Sequence, residues 1–345
     1  MKKKISAVIS GILLAGVITG CGGKDSKAPT AKTEEEKLHL IVAHNQTSTE
    51  NPYQYGMVKF KNEVEKLSEG KTTVEVHAGT IGTNESELIE KLTLGGVDMV
   101  VASPGFMTAI GVKEIDMLSL YYMFNDYQTW EKVVDGNFGS KMKETIYDKS
   151  KGDFMVMDYW SSGVRNFYGK KQIVTPEDLK GLKVRTQSSP VQKDFWAAAG
   201  AIPTSVDWNE LYQALQQGVV DGAENDMTNL SLKDHHKTGN GKYITETEHD
   251  FTTRLLLMNG KKFDKYTENQ KNWIKEAAKV ATREERDVTY SMLNQSREKI
   301  LADGGVINKV DKAAFIELAK PIQEKFAKDN KMEELLEMIR QDAKK

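Results

Sequence analysis

From residue 37 onward, short apolar runs alternate with longer stretches in which apolar residues recur at helical spacing. The run Leu38-His39-Leu40-Ile41-Val42-Ala43 predicts a strand over 37–43, and a helix is expected over 52–68 with Tyr55, Val58, Phe60, Val64 and Leu67 turned inward. The same pattern predicts strand 72–77, helix 86–94, a buried strand 96–102 and helix 127–134. Between the last two lies an apolar segment, 115–124, in which Tyr121 and Tyr122 are core candidates. Strand 154–159 comes next, then strand 182–185, helix 188–199, strand 203–206, a helix from Trp208 through Gln217, and strands 218–222 and 255–259. One long helix is expected over 267–301. Its drifting stripe is Trp273, Ile274, Ala277, Ala281, Val288, Met292, Leu293 and Ile300, and Gly304-Gly305 is its stop. Two amphipathic helices, 315–326 and 332–339, close the chain over one domain face. Strands and helices in alternation mean an α/β fold.

The first twenty residues stand outside that pattern. Lys2, Lys3 and Lys4 precede an apolar run, 5–17, that is short for a bilayer span and reads as a secretion signal. It ends Val17-Ile18-Thr19-Gly20-Cys21, which resembles a bacterial lipobox. The expectation is a signal peptide over 1–20, removed ahead of Cys21, which then carries the lipid. Cys21 is the only cysteine of the chain, and a lone exported thiol has no disulfide partner. A free thiol behind an ordinary cleaved signal and a signal-anchor helix are the alternatives. Residues 21–37 hold almost no apolar side chain and read as a flexible tether. The protein is therefore expected outside the cytoplasm, anchored to the lipid bilayer of the cell membrane through Cys21.

Roughly 300 residues remain, enough for two α/β domains with a core each. Residues 38–160 with about 251–288 are expected to form domain I, and 161–250 with about 289–345 domain II. The 48 basic and 50 acidic residues leave a net charge of −2, so no basic excess exists to displace counterions, and nucleic acid is excluded as a partner. There is no G-x-S-x-G, no H-E-x-x-H and no second cysteine, so a secreted hydrolase would lack its nucleophile and no enzyme is expected. Asp221 and Glu224 do not have the arrangement of a hydrolase pair, and Asp221 reads as a turn and capping residue. The one histidine pair, His235-His236, points its side chains apart and has no further ligand at metal spacing, so neither metal nor cofactor is expected.

Binding chemistry gathers between Arg165 and Asn225. Arg165, Arg185 and Asn225 each end a short apolar or small-residue run, where a strand hands over to a loop. Arginine meets a carboxylate bidentately and keeps its charge, and asparagine adds a donor. Taken singly, each arginine is better explained by a surface salt bridge. The segments TPEDLKGLKVR and GAIPTSVDWNELYQALQQGVVDGAEN, with the spacing from Arg165 to Arg185 to Asn225, resemble the solute-binding subunits of TRAP transporters. The resemblance spans about 38–329 and is densest over 163–225.

That resemblance implies a two-lobed, periplasmic-binding-protein-like fold with a ligand cleft between the domains and a long helix spanning both. It implies that Arg185 pairs with a ligand carboxylate, that Arg165 and Asn225 add hydrogen bonds, and that Trp208 offers a flat face to the ligand. It also brings the first loop, with His44 and Asn45, and the turn carrying Glu85 to the cleft. Each has a plainer role available: a solvated histidine, a first-turn glutamate, a core tryptophan. The chain departs from the family at Asp226, where a proline is usual. The implied function is an extracytoplasmic receptor that passes a carboxylate-bearing solute to the small and large TRAP membrane subunits. The absence of a G-x-x-x-x-G-K-[ST] loop suits a system that does not hydrolyse ATP. The polar groups around the arginines favour a sugar acid such as glucuronate or galacturonate. A C4-dicarboxylate or other organic acid, or a ligand-binding sensor, is the alternative.

Overall fold

The computed structural model describes residues 37–344 apart from 83, 110 and 188; the expected signal peptide, Cys21 and the expected tether up to 36 lie outside the described residues. The described chain opens with β1 (Leu38–His44), α1 (Pro52–Leu67), β2 (Thr72–Ala78), α2 (Glu85–Leu94), β3 (Met99–Ala102), α3 (Pro104–Ala109), α4 (Tyr127–Val134) and α5 (Asn137–Lys149). Then β4 (Phe154–Gly169) crosses to a second lobe made of β5 (Lys183–Thr186), α6 (Pro190–Ala198), β6 (Ile202–Ser205), α7 (Leu211–Gln216), β7 (Gly222–Asn225) and α8 (Met227–Leu232). β8 (Tyr243–Asn259) crosses back, followed by α9 (Gly260–Phe263), α10 (Glu268–Ala302), β9 (Val306–Lys309), α11 (Ala313–Asn330) and α12 (Glu333–Asp342).

These strands form one sheet in the order β2-β1-β3-β8-β4-β7-β5-β6, with β9 beside β8. Its two ends are parallel, β1 with β2 and β3, and β5 with β6 and β7. Antiparallel β4 and β8 join them through the middle. The result is a two-lobed α/β fold in which both lobes hang on the same long strand pair. The ladder of that pair slips at Val156/Asp158, Ser161/Val164 and Arg165/Phe167, and such bulges bend a strand where it passes between lobes. Gly163 sits in the middle slip with φ +78, a backbone state that costs glycine little.

Side-chain alternation decides which face each strand residue serves. In β8, Leu255 and Leu257 enter the core built on Trp130, Phe138 and Tyr159, whereas Leu256 and Met258 enter the core of Leu40, Phe60, Trp160 and Ile274. Both faces are covered by helices, so the run reads as continuously apolar although its period is two. The second lobe repeats the plan, with Phe167, Val184, Phe195 and Trp196 on one face and Tyr168, Leu215, Ala223 and Leu230 on the other. Among the described residues no helix is long and apolar enough to cross a membrane.

Several expectations are corrected. In α1 the buried face is Tyr53, Gly56, Met57, Phe60 and Val64, while Tyr55, Val58 and Leu67 are exposed. Gly56 sets this rotation, because a Cβ there would meet the Trp160 ring at 2.7 Å. The strand expected over 218–222 begins only at Gly222, and Trp208 stands on a short 3-10 turn ahead of α7. Strands 154–159 and 255–259 are pieces of β4 and β8, whose polar residues in mid-strand hide their length from apolar periodicity. The last helix, α12, placed with the second domain by sequence, lies against α4 and α5.

α10 runs 35 residues, about 52 Å at 1.5 Å per residue, and serves both lobes. Thr267 starts it with a reciprocal cap to Gln270. Ile274, Ala277 and Ala281 pack in one lobe and Ile300 in the other, but between them the buried residues are Thr282, Glu285, Arg286, Thr289 and Ser296, not Val288, Met292 and Leu293. The physical reason is the stretch of β4 beneath, where β7, which pairs only from Asn166 on, leaves one side of the strand uncovered. Glu285 accepts from the Ser161 backbone N–H at 3.0 Å, Arg286 donates to the Tyr159 carbonyl at 2.8 Å, and Thr282 accepts from Trp160 Nε1 at 3.0 Å. The helix thus satisfies the Tyr159 and Ser161 backbone groups on the side of β4 that β7 does not reach, together with the Trp160 indole.

Candidate ligand cleft

The carboxyl ends of the parallel strands in both lobes face one another across a cleft of about 130 Å³. This is where open α/β sheets place ligands, since several loops converge there without interrupting the sheet. The first lobe contributes Asn45 and Gln46 after β1, Glu85 at the start of α2, and Ser103 and Phe106 after β3. The second contributes Arg185, Thr186 and Gln187 at the end of β5, Ser205 through Trp208 after β6, and Asn225 and Asn229. Arg254 of β8 completes the lining. The lobes touch across the opening: Trp208 Nε1 donates to Gln46 Oε1 at 3.1 Å, Asn51 Nδ2 to Asn229 Oδ1 at 3.0 Å, and Lys233 Nζ to Thr47 Oγ1 at 2.9 Å.

Arg185 lies one residue from the end of β5, flanked by β6 and β7, and is only 6% exposed. Its Nε donates to the Val206 carbonyl at 2.9 Å, and the guanidinium lies 5.9 Å from the Trp208 ring centre. No carboxylate pairs with it among the described residues. Burial lowers its pKa, and the charge on Glu224 pulls the other way. An arginine of this kind presents its fork to whatever enters the cleft.

Arg165 stands differently. It sits inside β4 rather than at a strand end, is fully buried, and does not line the cleft. Glu224 grips it from both sides: Nη2 donates to Oε1 at 2.8 Å and to the Glu224 carbonyl at 2.6 Å, and Nε bonds Oε2. Burial would raise the Glu224 carboxyl, but the Arg165 charge outweighs it and holds the pKa at about 2. The remaining nitrogen, Nη1, donates to Asn225 Oδ1 at 2.9 Å. Asn225, the last residue of β7, also accepts there from the Asp226 N–H at 2.9 Å, so its amide nitrogen is the group turned to the cleft. Arg165 thereby orients Asn225.

The other predicted residues divide. Asn45 and Trp208 line the cleft. Glu85 lines it too, but its carboxylate is held by Ser103, accepting from the backbone N–H at 2.6 Å and from Oγ at 3.0 Å. His44 does not reach the cleft. Its Nδ1 accepts from the Gln46 N–H at 3.3 Å, which leaves the proton on Nε2 to meet Gln54 Oε1 at 3.0 Å. Burial pushes its pKa down to about 4, so it is a neutral prop that shapes the turn carrying Asn45 and Gln46. Asp226, where the sequence departs from the family pattern, caps α8: its carboxylate accepts from the Asn229 N–H at 2.9 Å and from Asn229 Nδ2 at 2.6 Å.

Sequence reading missed Gln46, Phe106, Gln187, Asn229 and Arg254. Arg254 carried a signal, an arginine leading directly into Leu255-Leu256-Leu257-Met258, where a charge enters a fully buried strand. The others are single polar or aromatic residues in loops and short helices, with no pattern to mark them. His235 does not line the cleft; it bonds the Tyr168 hydroxyl at 2.9 Å and packs behind Trp208, ring centres 5.0 Å apart. Asp234, His236 and Asp303 cluster, but Lys237 and Lys299 already supply the cations, at 3.0 Å and 2.6 Å. Asp221 accepts from the Lys183 N–H at 2.9 Å as a turn residue.

Comparison with known proteins gives this architecture its context. Residues 42–329 match the family described as bacterial extracellular solute-binding protein, family 7. The chain belongs to this family. A solute-binding protein of Chromohalobacter salexigens is 29% identical over 286 residues, covering 82% of this chain and 83% of that one. The C4-dicarboxylate-binding periplasmic protein DctP of Rhodobacter capsulatus is 28% identical over 296 residues, covering 84% and 86%. Among solved structures, a TRAP periplasmic solute-binding protein of Sulfitobacter sp. NAS-14.1 with bound β-D-galacturonate superposes with a TM-score of 0.82 at 30% identity, over 88% of this chain and 99% of that one. A Chromohalobacter salexigens counterpart with bound D-glucuronate gives a TM-score of 0.82 at 27% identity, with the same coverages. This family 7 member is thus an extracytoplasmic solute receptor of the TRAP type and not an enzyme.

Proposed function

We propose that this receptor captures a sugar acid, a uronate such as glucuronate or galacturonate, and delivers it to the small and large membrane subunits of a TRAP transporter. The observation that carries the reading is Arg185: a buried guanidinium without a carboxylate partner among the described residues, facing a cleft that both lobes close. The ligand carboxylate takes its fork. The Asn225 amide, held in place by Arg165, adds a donor; Trp208 lies along the carbon skeleton; Asn45 and Glu85 meet hydroxyls, and His44 supports Asn45 from behind. The galacturonate and glucuronate in the two solved relatives support the cargo class. A C4-dicarboxylate is the second reading, favoured by the name of the Rhodobacter capsulatus relative. Closure is a population shift, driven by contacts the ligand makes only when both lobes engage it. Lipid attached at Cys21 would hold the receptor at the membrane while the tether gives it reach.

The test is a thermal-shift panel on the chain beginning after Cys21, with uronates, aldonates, C4-dicarboxylates, keto acids and amino acids. A ligand that binds the native state raises Tm by mass action. Stabilisation by uronates is the expected outcome. Stabilisation by amino acids or keto acids alone would overturn the cargo class.

A further inference from the structure

The seven arginines of the chain separate into two groups. Arg165, Arg283, Arg286, Arg297 and Arg340 each form a salt bridge to a carboxylate. Arg185 and Arg254 form none among the described residues, are 6% and 5% exposed, and line the same cleft. Burying a cation without a partner is costly, so two such residues in one cavity mark a place that an electron-rich guest completes.

Arg254 is held at its back and open at its front. Nε donates to the Tyr53 hydroxyl at 2.8 Å and Nη1 to the Thr253 carbonyl at 3.3 Å, both neutral acceptors. With the Gln187 amide oxygen turned inward, that oxygen accepts from Arg254 Nη2 and Arg165 Nη1 at 3.2 Å each. None of these supplies a negative charge. Glu85, the carboxylate of the first-lobe wall, is bonded by Ser103 and makes no ion pair with Arg254; burial lowers the Arg254 pKa, but the Tyr53 hydroxyl and the more distant Glu85 charge outweigh it, and burial keeps Glu285 protonated at neutral pH. Arg185 and Arg254 also belong to different strands, β5 of the second lobe and the shared β8.

We propose that Arg254 is the second ligand cation of the site, and that it reads an oxygen-rich group lying beyond the carboxylate held by Arg185. This rests on the reading of the cleft as an organic-acid site. The shared chemistry is hydroxyl or carboxylate oxygen. A vicinal diol or ring oxygen of a uronate and the second carboxylate of an aldarate are its two sources. Arg254 therefore sets specificity against short monoacids that carry no oxygen at the far end.

The test compares wild type, Arg254→Met and Arg254→Lys by calorimetric titration with galacturonate and galactarate, alongside melting of the ligand-free proteins. Arg254→Met is expected to weaken galacturonate binding roughly 10- to 100-fold, the worth of one charge-assisted hydrogen bond. The ligand-free Tm of that variant stays close to wild type, because the hydrogen bonds lost to Tyr53 and Thr253 are offset by relief from burying a cation that has no ion-pair partner among the described residues. Lysine restores part of the affinity. A preference for galactarate in wild type that collapses in Arg254→Met identifies the second carboxylate as the group read; weakening of galacturonate alone identifies the hydroxyls. Wild-type affinity in Arg254→Met overturns the proposal while the organic-acid reading stands. A fall in ligand-free Tm with affinity not restored by lysine overturns it too, making Arg254 a strut for Tyr53. Failure of wild type to bind any acid overturns the organic-acid reading, and this proposal with it.

Discussion

Replacing Arg185 with methionine separates binding from folding. In the ligand complex a bidentate carboxylate makes two charge-assisted hydrogen bonds, each worth about 1.5–3 kcal/mol. Their loss amounts to about 3–6 kcal/mol, or roughly 10²- to 10⁴-fold in Kd. The folded protein without ligand loses far less. There Arg185 donates one hydrogen bond, to Val206, and stands over Trp208 at 5.9 Å. Those contributions, about 1 kcal/mol each, are offset by relief from burying an unpaired cation. Calorimetric titration with glucuronate and galacturonate should therefore show binding lost or reduced at least about 100-fold, with ligand-free Tm close to wild type. A variant that binds within about threefold of wild type would refute the carboxylate clamp, since even one charge-assisted bond exceeds that effect.

Other perturbations probe the scaffold around the cleft. Glu224→Gln strips the counter-charge from fully buried Arg165 and should lower stability by about 3–5 kcal/mol, read as a lower urea midpoint at unchanged slope; a wild-type midpoint would contradict the pairing. Trp208→Ala, at a half-buried position, should leave the fold intact and weaken sugar-acid binding about tenfold, roughly 1.4 kcal/mol. Glu285 is pushed up from 4.5 to about 8 by burial. Its folded form holds the proton more tightly than the unfolded chain, so its contribution is full below about pH 4.5 and drains away as pH rises to about 8. Glu285→Gln should therefore gain on wild type in urea melts as pH climbs through that window, and a constant difference between the two would show that Glu285 does not titrate there.

Local pattern made much of this protein legible. The bounds of α4 and the start of α10 follow from apolar spacing and caps, which involve residues within a turn or two of each other. The run from Arg165 to Asn225 carried enough of a family's wording to single out Arg185 and Asn225. Trp208 and Asn45 were reachable the same way, because loops at strand ends face clefts in open α/β sheets.

What sequence left undecided turns on partners far apart in the chain. Nothing near Arg165 says that Glu224, 59 residues on, would grip it and turn it from a ligand contact into the prop of Asn225. Nothing near His44 says that Gln54 and the Gln46 N–H would bury it neutral. The polar centre of α10 makes sense only against the side of β4 that β7 leaves uncovered, and Arg254 only beside Tyr53 and Gln187. Periodicity reports whether a position faces inward; it does not report what waits there. Strands, helices and the family follow from short-range order, while the charge state and role of each buried polar group are set by the neighbours that folding supplies.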